Sequence, residues 1–209
     1  MSDPAPARLY LVTPDQLEPE SFAADLARLI ATVPIACLRL DLGGAPEDDW
    51  RQAANHLLPV CHEADIPLVI AEHYRMVQPL GLDGVHLRRG VTPVRSVRKD
   101  LGADAIVGAE AGASKHTAMT LAESGADYIA LGPVAETGSL GGEDLAEADL
   151  FAWWSEMIET PVVAEGAVNL DAAQKLAPFV DFLVPDRTLW HQPEDLLPTL
   201  KEMAALLAE

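Results

Sequence analysis

The chain alternates eight times between a short apolar run and a longer amphipathic segment, and this alternation limits the folds open to it. The runs are continuously apolar, which is typical of parallel strands that are buried on both faces. They are Leu9–Val12, Ala36–Leu40, Leu68–Ala71, Gly84–Leu87, Ala105–Gly108, Tyr128–Leu131, Val162–Ala164 and Phe182–Val184.

The segments between the runs have helical spacing. In the first, Phe22, Leu26 and Leu29 fall on one face of a helix. Asp149 and Asn169 stand where helix N-caps belong, because their side-chain oxygens can accept from free backbone N–H groups. Gly102 and Gly125 are predicted to end two helices. The helical segments are 21–33, 47–65, 92–102, 114–125, 149–159, 169–177 and 193–208.

Repeated strand–helix units of this length predict a single-domain (β/α)8 TIM barrel over residues 1–209, with residues 1–7 as a flexible N-terminus. A doubly wound open sheet is the alternative. Such a sheet normally has a glycine-rich phosphate turn after its first strand, and LVTPDQLEP at 11–19 contains no glycine. The 135–147 segment after the sixth run is the longest loop and a candidate mobile lid.

Charge and cysteine content exclude several classes of partner. With 14 Lys and Arg against 33 Asp and Glu, the formal charge is −19, which disfavours nucleic acid and acidic membrane surfaces. An anionic ligand would therefore need a local basic cluster. No apolar run is long enough to cross a bilayer, and the N-terminus MSDPAPARLY does not resemble a signal peptide. Cys37 and Cys61 are interpreted as core thiols of a cytoplasmic protein.

In a barrel, the carboxyl ends of the strands converge on one mouth, where active sites lie. The segment LVIAEHYRMVQPLGLDGVHLRRGV at 68–91 shows the pattern, since both of its apolar runs end in ionisable residues. The strand-end residues are Thr13, Arg39, Asp41, Glu72, His73, His86, Arg88, Arg89, Glu110, Glu136, Thr137, Glu165, Gly166, Asp186 and Arg187.

Three stretches of this sequence resemble the superfamily of thiamin phosphate synthase and TenI-type thiazole tautomerase. They are LYLVTP at 9–14, GLDGVHLRRGVTP at 81–93 and GADYIALGPVAETGS at 125–139, with PVVAEGAVN at 161–169 as a weaker match. The resemblance implies that hydroxymethylpyrimidine diphosphate and thiazole phosphate are condensed to thiamin phosphate. The alternative is a diverged member without synthase activity, acting as a phosphate-binding barrel or an isomerase. A homodimer is expected from the habit of the superfamily alone.

The resemblance also implies a catalytic group and a cofactor. Glu72 matches a family carboxylate that holds Mg²⁺, whereas Val91 stands where the second metal aspartate is expected. The catalytic candidates are Glu72, Arg39, His86 and Glu110. Other interpretations remain open, because His86 could be structural and Glu72 could pair with Arg39. Glu72, Glu110 and Glu165 could also form a cation site or an acid–base pair.

Several family positions for phosphate have changed their charge. Asp41 and Leu140 replace lysines, and Glu165 would repel a phosphate unless Arg187 pairs with it or with the phosphate. The basic charge is either relocated to Arg88 and Arg89 or used in salt bridges with Glu72 and Asp41. The candidates for binding a phosphorylated small molecule are Arg88, Arg89, Thr137, Ser139, Glu165, Gly166, Ala167, Asp186 and Arg187.

Overall fold

A computed structural model describes residues 6–90, 92–135 and 144–208, and it confirms the predicted single-domain TIM barrel. Eight parallel strands close in sequence order, with β8 pairing with β1. The strands are β1 (Arg8–Val12), β2 (Ile35–Leu40), β3 (Leu68–Ala71), β4 (Gly84–Leu87), β5 (Ile106–Gly112), β6 (Tyr128–Leu131), β7 (Val162–Val168) and β8 (Phe182–Pro185).

Eight helices surround the strands within the described residues. They are α1 (Pro19–Ile30), α2 (Glu47–Glu63), α3 (Val77–Leu80), α4 (Val94–Leu101), α5 (Lys115–Glu123), α6 (Ala148–Met157), α7 (Leu170–Leu176) and α8 (Pro193–Leu207). Short 3₁₀ turns occupy Tyr74–Met76, Ala177–Phe179 and Arg187–His191. None of the described helices is long and apolar enough to cross a membrane.

The helix ends agree with the sequence in part. Asn169 caps α7 by accepting a hydrogen bond from the Ala172 N–H, as predicted. The prediction for Asp149 is wrong, because α6 begins at Ala148, which precedes Asp149, and its N-cap is Glu147. The short helix α3 was not predicted. It spans four residues, too few to show a helical repeat of apolar positions.

Two apolar clusters divide the core. The larger lies between the strands and the helices, and it includes the buried Cys61 of α2. The smaller fills the barrel and is built by strand residues, Tyr10, Val12, Cys37, Val69, Tyr128, Ala130, Val163 and Val184. Burial raises the pKa of both cysteine thiols to about 12, as expected of unreactive core residues.

Two tyrosines, one on β1 and one on β6, meet in the interior of the barrel. The hydroxyl groups of Tyr10 and Tyr128 are hydrogen-bonded at 2.7 Å, and the Tyr128 hydroxyl lies 2.9 Å from His86 Nδ1. Gly108 on β5 makes room for this arrangement, because a Cβ there would lie 1.9 Å from the Tyr128 ring. Below the mouth, the barrel interior is therefore closed by the two aromatic rings and by the hydrogen-bonded side chains of Tyr10, Tyr128 and His86.

Replacing Gly108 with alanine should destabilise the barrel, since the new methyl group must displace the buried Tyr128 ring. Overpacking of this kind costs about 1–3 kcal/mol. Urea unfolding of Gly108→Ala measures the loss. Gly44→Ala is the matched control, because no atom lies within 4 Å of its added Cβ and its φ is not positive. Equal stability of the two variants would show that the Tyr128 ring is not fixed.

Candidate active site at the barrel mouth

Charged residues continue the inward-facing positions of the strands toward the mouth. Successive residues of a strand point to opposite faces, so a residue two positions after an interior residue also points inward. Arg39 follows Cys37 in this way, and Glu165 follows Val163. His86 and Glu110 hold the corresponding positions on β4 and β5. Four predicted site residues therefore share the upper interior of the barrel.

Arg39 and Glu165 form an ion pair across the top of the barrel interior. Their Nη2 and Oε2 atoms are 2.8 Å apart, and the side chains are only 8% and 4% exposed. Burial alone would lower the pKa of Arg39, but Glu165 together with Tyr10, Tyr128 and Asp41 raises the pKa above its ordinary value. Nε and Nη1 of Arg39 are buried without a hydrogen-bond partner among the described residues.

This pairing decides between two of the interpretations. The expectation that Glu72 pairs with Arg39 is wrong, since the partner of Arg39 is Glu165. Arg187 does not pair with Glu165 either, because its guanidinium bonds to carbonyl groups of the first two strands' ends. The Glu165 carboxylate therefore lies inside the barrel, where the Arg39 guanidinium neutralises its charge.

Asp41 lies beside two arginines of the mouth, Arg88 and Arg187. Nη2 of Arg88 lies 2.8 Å and 2.9 Å from the two carboxylate oxygens of Asp41. Nη1 of Arg187 lies 3.9 Å from Asp41 Oδ2. Burial opposes ionisation of Asp41, but the charges of Arg39, Arg88 and Arg187 hold its pKa below the usual range. The salt-bridged mouth is therefore present, although through Asp41 and not Glu72.

Glu72 lies at the mouth beside the same arginine. Its Oε1 accepts a hydrogen bond from the Arg88 backbone N–H. Its backbone has a φ of 61°, a left-handed conformation that is costly for a residue with a side chain and is frequent at functional sites. The half-buried carboxylate thus keeps its position at some conformational cost.

The described residues do not form a complete metal site from protein groups alone. They contain no group of three or more His, Cys, Asp or Glu side chains that could hold a metal ion. Of the open interpretations, a cation site of Glu72, Glu110 and Glu165 is therefore not formed, since Glu165 is committed to Arg39. Mg²⁺ is usually held by one or two carboxylates together with substrate phosphates, and Glu72 fits that limited role.

Glu110 and His86 are adjusted toward their neutral forms. Burial and the neighbouring Glu165 charge raise the pKa of Glu110, while the charges of Arg39 and Arg89 oppose the rise. Burial and the charges of Arg39 and Arg88 lower the pKa of His86 well below its ordinary value. His86 is therefore a neutral hydrogen-bonding partner of Tyr128, which supports the structural interpretation.

The remaining candidates lie at the ends of β7 and β8 or outside the described residues. Ala167 has a φ of 59° and follows Gly166, which also has a positive φ of 84°. Asp186 accepts a hydrogen bond from the Thr188 N–H. Thr137 and Ser139 belong to 136–143, which lie outside the described residues, as does most of the candidate lid.

A cavity of about 410 Å³ lies beside these two strand ends, between α7 and α8. Asn169 and Asp171 line it from α7, and Asp186 and Thr188 line it from the segment after β8. In TIM barrels the loops after the seventh and eighth strands often bind phosphate. Sequence reasoning identified Asp186 but not the cavity, whose far wall comes from α8.

The family model described as thiamine monophosphate synthase matches residues 9–179 of the chain. The chain belongs to this family. The thiamine-phosphate synthase of Rhodospirillum centenum is 36% identical over 187 residues, covering 89% of this chain and 90% of that protein. That of Hyphomonas neptunium is 32% identical over 205 residues, or 95% and 93% of the two chains.

A solved structure agrees with the fold. The thiamine phosphate pyrophosphorylase from Pyrococcus furiosus superposes with a TM-score of 0.81 at 21% identity, covering 96% of this chain and 95% of that one. At this identity the likeness shows the fold alone. Membership in the thiamine monophosphate synthase family rests on the sequence matches, which confirm the resemblance seen in the motifs.

Replacing Glu165 with glutamine should destabilise the protein by about 3 kcal/mol, because it leaves the Arg39 charge buried without compensation. Chemical denaturation at neutral pH measures the loss. Asp25→Asn is the matched control, since its ion pair with Arg28 is 68% and 79% exposed. Such exposed pairs contribute about 0–1 kcal/mol. A loss for Glu165→Gln as small as that of the control would contradict the buried pairing.

Proposed function

We propose that this protein is a thiamine-phosphate synthase of thiamine biosynthesis. In this reaction the bond between the pyrimidine methylene carbon and the diphosphate oxygen breaks, and the diphosphate takes the electron pair. The thiazole nitrogen then forms a bond to the pyrimidine cation, giving thiamin phosphate. Family membership and nearly full-length similarity to thiamine-phosphate synthases support the proposal.

The observation that carries the proposal is the group of arginines at the strand ends. Arg88 and Arg89 follow β4, and Arg187 follows β8, in a chain whose formal charge is −19. The Arg88 side chain is 45% exposed and that of Arg187 is 33% exposed, so both guanidinium groups are open to a ligand. Planar guanidinium groups match phosphate oxygens in geometry and charge.

The chemistry of the step needs this charge. Negative charge grows on the diphosphate as its bond to carbon breaks, and fixed donors at that place stabilise the transition state more than the ground state. Arg88, Arg89 and Arg187 supply those donors. Glu72 would hold Mg²⁺ together with the diphosphate, where the ion would neutralise further charge on the leaving group.

The second substrate fits the ends of β7 and β8. Gly166 and Ala167 have positive φ angles there, so the backbone turns away from the regular strand at the place where a TIM barrel commonly binds phosphate. Glu165 does not repel a phosphate at this place as an isolated carboxylate would, because Arg39 neutralises it. Burial and nearby arginines lower the pKa of His86, so His86 adds no positive charge that would compete with the pyrimidine cation. Burial and Glu165 raise the pKa of Glu110.

A second candidate is a diverged member that binds a phosphorylated small molecule without synthase activity. The observation that favours it is the commitment of Arg39 to Glu165, which removes one cation from ligand binding. The replacement of a family lysine by Asp41 acts in the same direction. Under this alternative the mouth binds phosphate but does not stabilise the departing diphosphate.

Purified protein supplied with both phosphorylated precursors and Mg²⁺ should form thiamin phosphate. Glu72→Ala should abolish the product, because it removes the carboxylate proposed to hold the metal. Arg88→Gln should lower kcat/KM by about 10- to 100-fold, since a hydrogen bond to a charged group contributes about 1.5–3 kcal/mol. Chromatographic detection of thiamin phosphate over time gives the rates.

Arg28→Gln is the control for Arg88→Gln, because it removes the same charge from the exposed face of α1. It should leave kcat/KM unchanged. Folded wild-type protein that forms no thiamin phosphate would refute the synthase proposal. Binding of thiazole phosphate or inorganic diphosphate without turnover would then favour the second candidate.

A further inference from the structure

Asp41 is a buried carboxylate, and both of its oxygens accept a hydrogen bond from Arg88. Its side chain is 5% exposed. Oδ1 accepts from the Gly43 N–H at 3.1 Å and from Arg88 Nη2 at 2.8 Å. Oδ2 accepts from the same Nη2 at 2.9 Å, and Arg187 Nη1 is 3.9 Å away. A carboxylate held in this way is fixed and cannot swing out to be replaced by a ligand.

The second arginine is fixed through the backbone as well. Arg187 donates from Nε to the Thr13 carbonyl at 2.9 Å and from Nη2 to the Asp41 carbonyl at 2.8 Å. The Thr13 hydroxyl in turn accepts from the Asp41 N–H at 3.0 Å. The ends of β1, β2 and β8 are thus tied together around Asp41, and Arg187 has one orientation toward the mouth.

The cluster keeps a positive charge for a ligand. Two guanidinium groups and one carboxylate leave a net charge of one in the cluster, while the buried Arg39 is neutralised by Glu165. Glu72 and Arg89 add one charge of each sign beside it. Each guanidinium has five N–H donors, and Arg88 uses only Nη2 for Asp41. Nε and Nη1 of Arg88 therefore remain for other acceptors.

We propose that Asp41 is a positioning residue that fixes Arg88 next to Arg187, which the backbone holds, so that the two arginines form a preformed site for the diphosphate group. The identity of the anion rests on the proposed function, whereas the geometry of the cluster does not. Asp41 acts through Arg88 and does not touch the ligand. Its contribution is the conformational entropy that the long Arg88 side chain would otherwise lose when the anion binds.

The two possible roles of Asp41, positioning an arginine or acting only as a negative charge, predict opposite changes in anion affinity when Asp41 is removed. If Asp41 acted only as a negative charge, removing it would strengthen anion binding by relieving repulsion. If it fixes Arg88, removing it frees that flexible side chain and weakens binding, because the ligand must then order it. The direction of the change in affinity therefore separates the two roles.

Titration calorimetry with inorganic diphosphate tests the proposal directly, without turnover. We expect Asp41→Asn to bind diphosphate about tenfold more weakly than wild type, and Asp41→Glu to recover part of the loss. Asp25→Asn is the matched control, because it makes the same change in net charge on exposed α1. Its affinity should be that of the wild type.

A second test asks whether the effect of Asp41→Asn depends on the presence of Arg88. In an Arg88→Gln background, Asp41→Asn should cause little further loss, because the side chain that it positions is already gone. If Asp41→Asn does not fold, Arg88→Lys replaces it, since lysine keeps the charge but lacks the planar fork. Arg88→Lys should then lose about tenfold in affinity.

Unchanged or tighter diphosphate binding by Asp41→Asn would overturn the inference, as would wild-type affinity in Arg88→Lys. A wild type that does not bind diphosphate would overturn it too. Weaker binding by Asp41→Asn in a protein that forms no thiamin phosphate would refute the proposed function and leave the positioning role intact. Thiamin phosphate formation with wild-type affinity in Asp41→Asn would refute only the positioning role.

Discussion

The ion pair of Arg39 and Glu165 is the interaction on which the arrangement of the mouth depends. Both charges are buried, so neither can be removed alone without a large cost. The pair closes the upper interior of the barrel and removes Arg39 from direct competition for Asp41. Because of this division, Asp41 is left to hold Arg88 and Arg187, and the positive charge of the rim stays available to a ligand.

The alternation of side chains along the barrel strands separates the buried ion pair from the arginines of the rim. Inward positions low on the strands carry Tyr10, Tyr128 and Cys37, which build an apolar and aromatic floor. The inward positions after Cys37 and Val163 carry the ion pair of Arg39 and Glu165. Beyond the strand ends lie the more exposed Arg88 and Arg187. A ligand at the mouth therefore meets guanidinium groups at the rim and a neutralised ion pair below them. This order suits an anion that enters from solvent and an uncharged ring that lies deeper.

Sequence reasoning located the strands and the mouth because both follow from local apolar patterns. It could not assign the ion pairs, since Arg39 and Glu165 lie 126 residues apart and their distance depends on barrel closure. The same limit left the charge partner of Glu72 open. The available signal was that Glu165 stands two residues after Val163 on the same strand, so that both side chains point into the barrel. The four-residue α3 and the cavity against α8 gave no signal of their own.

One arginine, Arg39, is committed to the interior, whereas Arg88 and Arg187 are open to a ligand, and side-chain NMR tests this division most directly. Arginine Nε–H resonances would be followed while inorganic diphosphate is added. We expect shifts for Arg88 and Arg187 and none for the buried Arg39. A shift of Arg39 with Arg88 and Arg187 unchanged would contradict it, because the ligand would then have replaced Glu165 as the partner of Arg39.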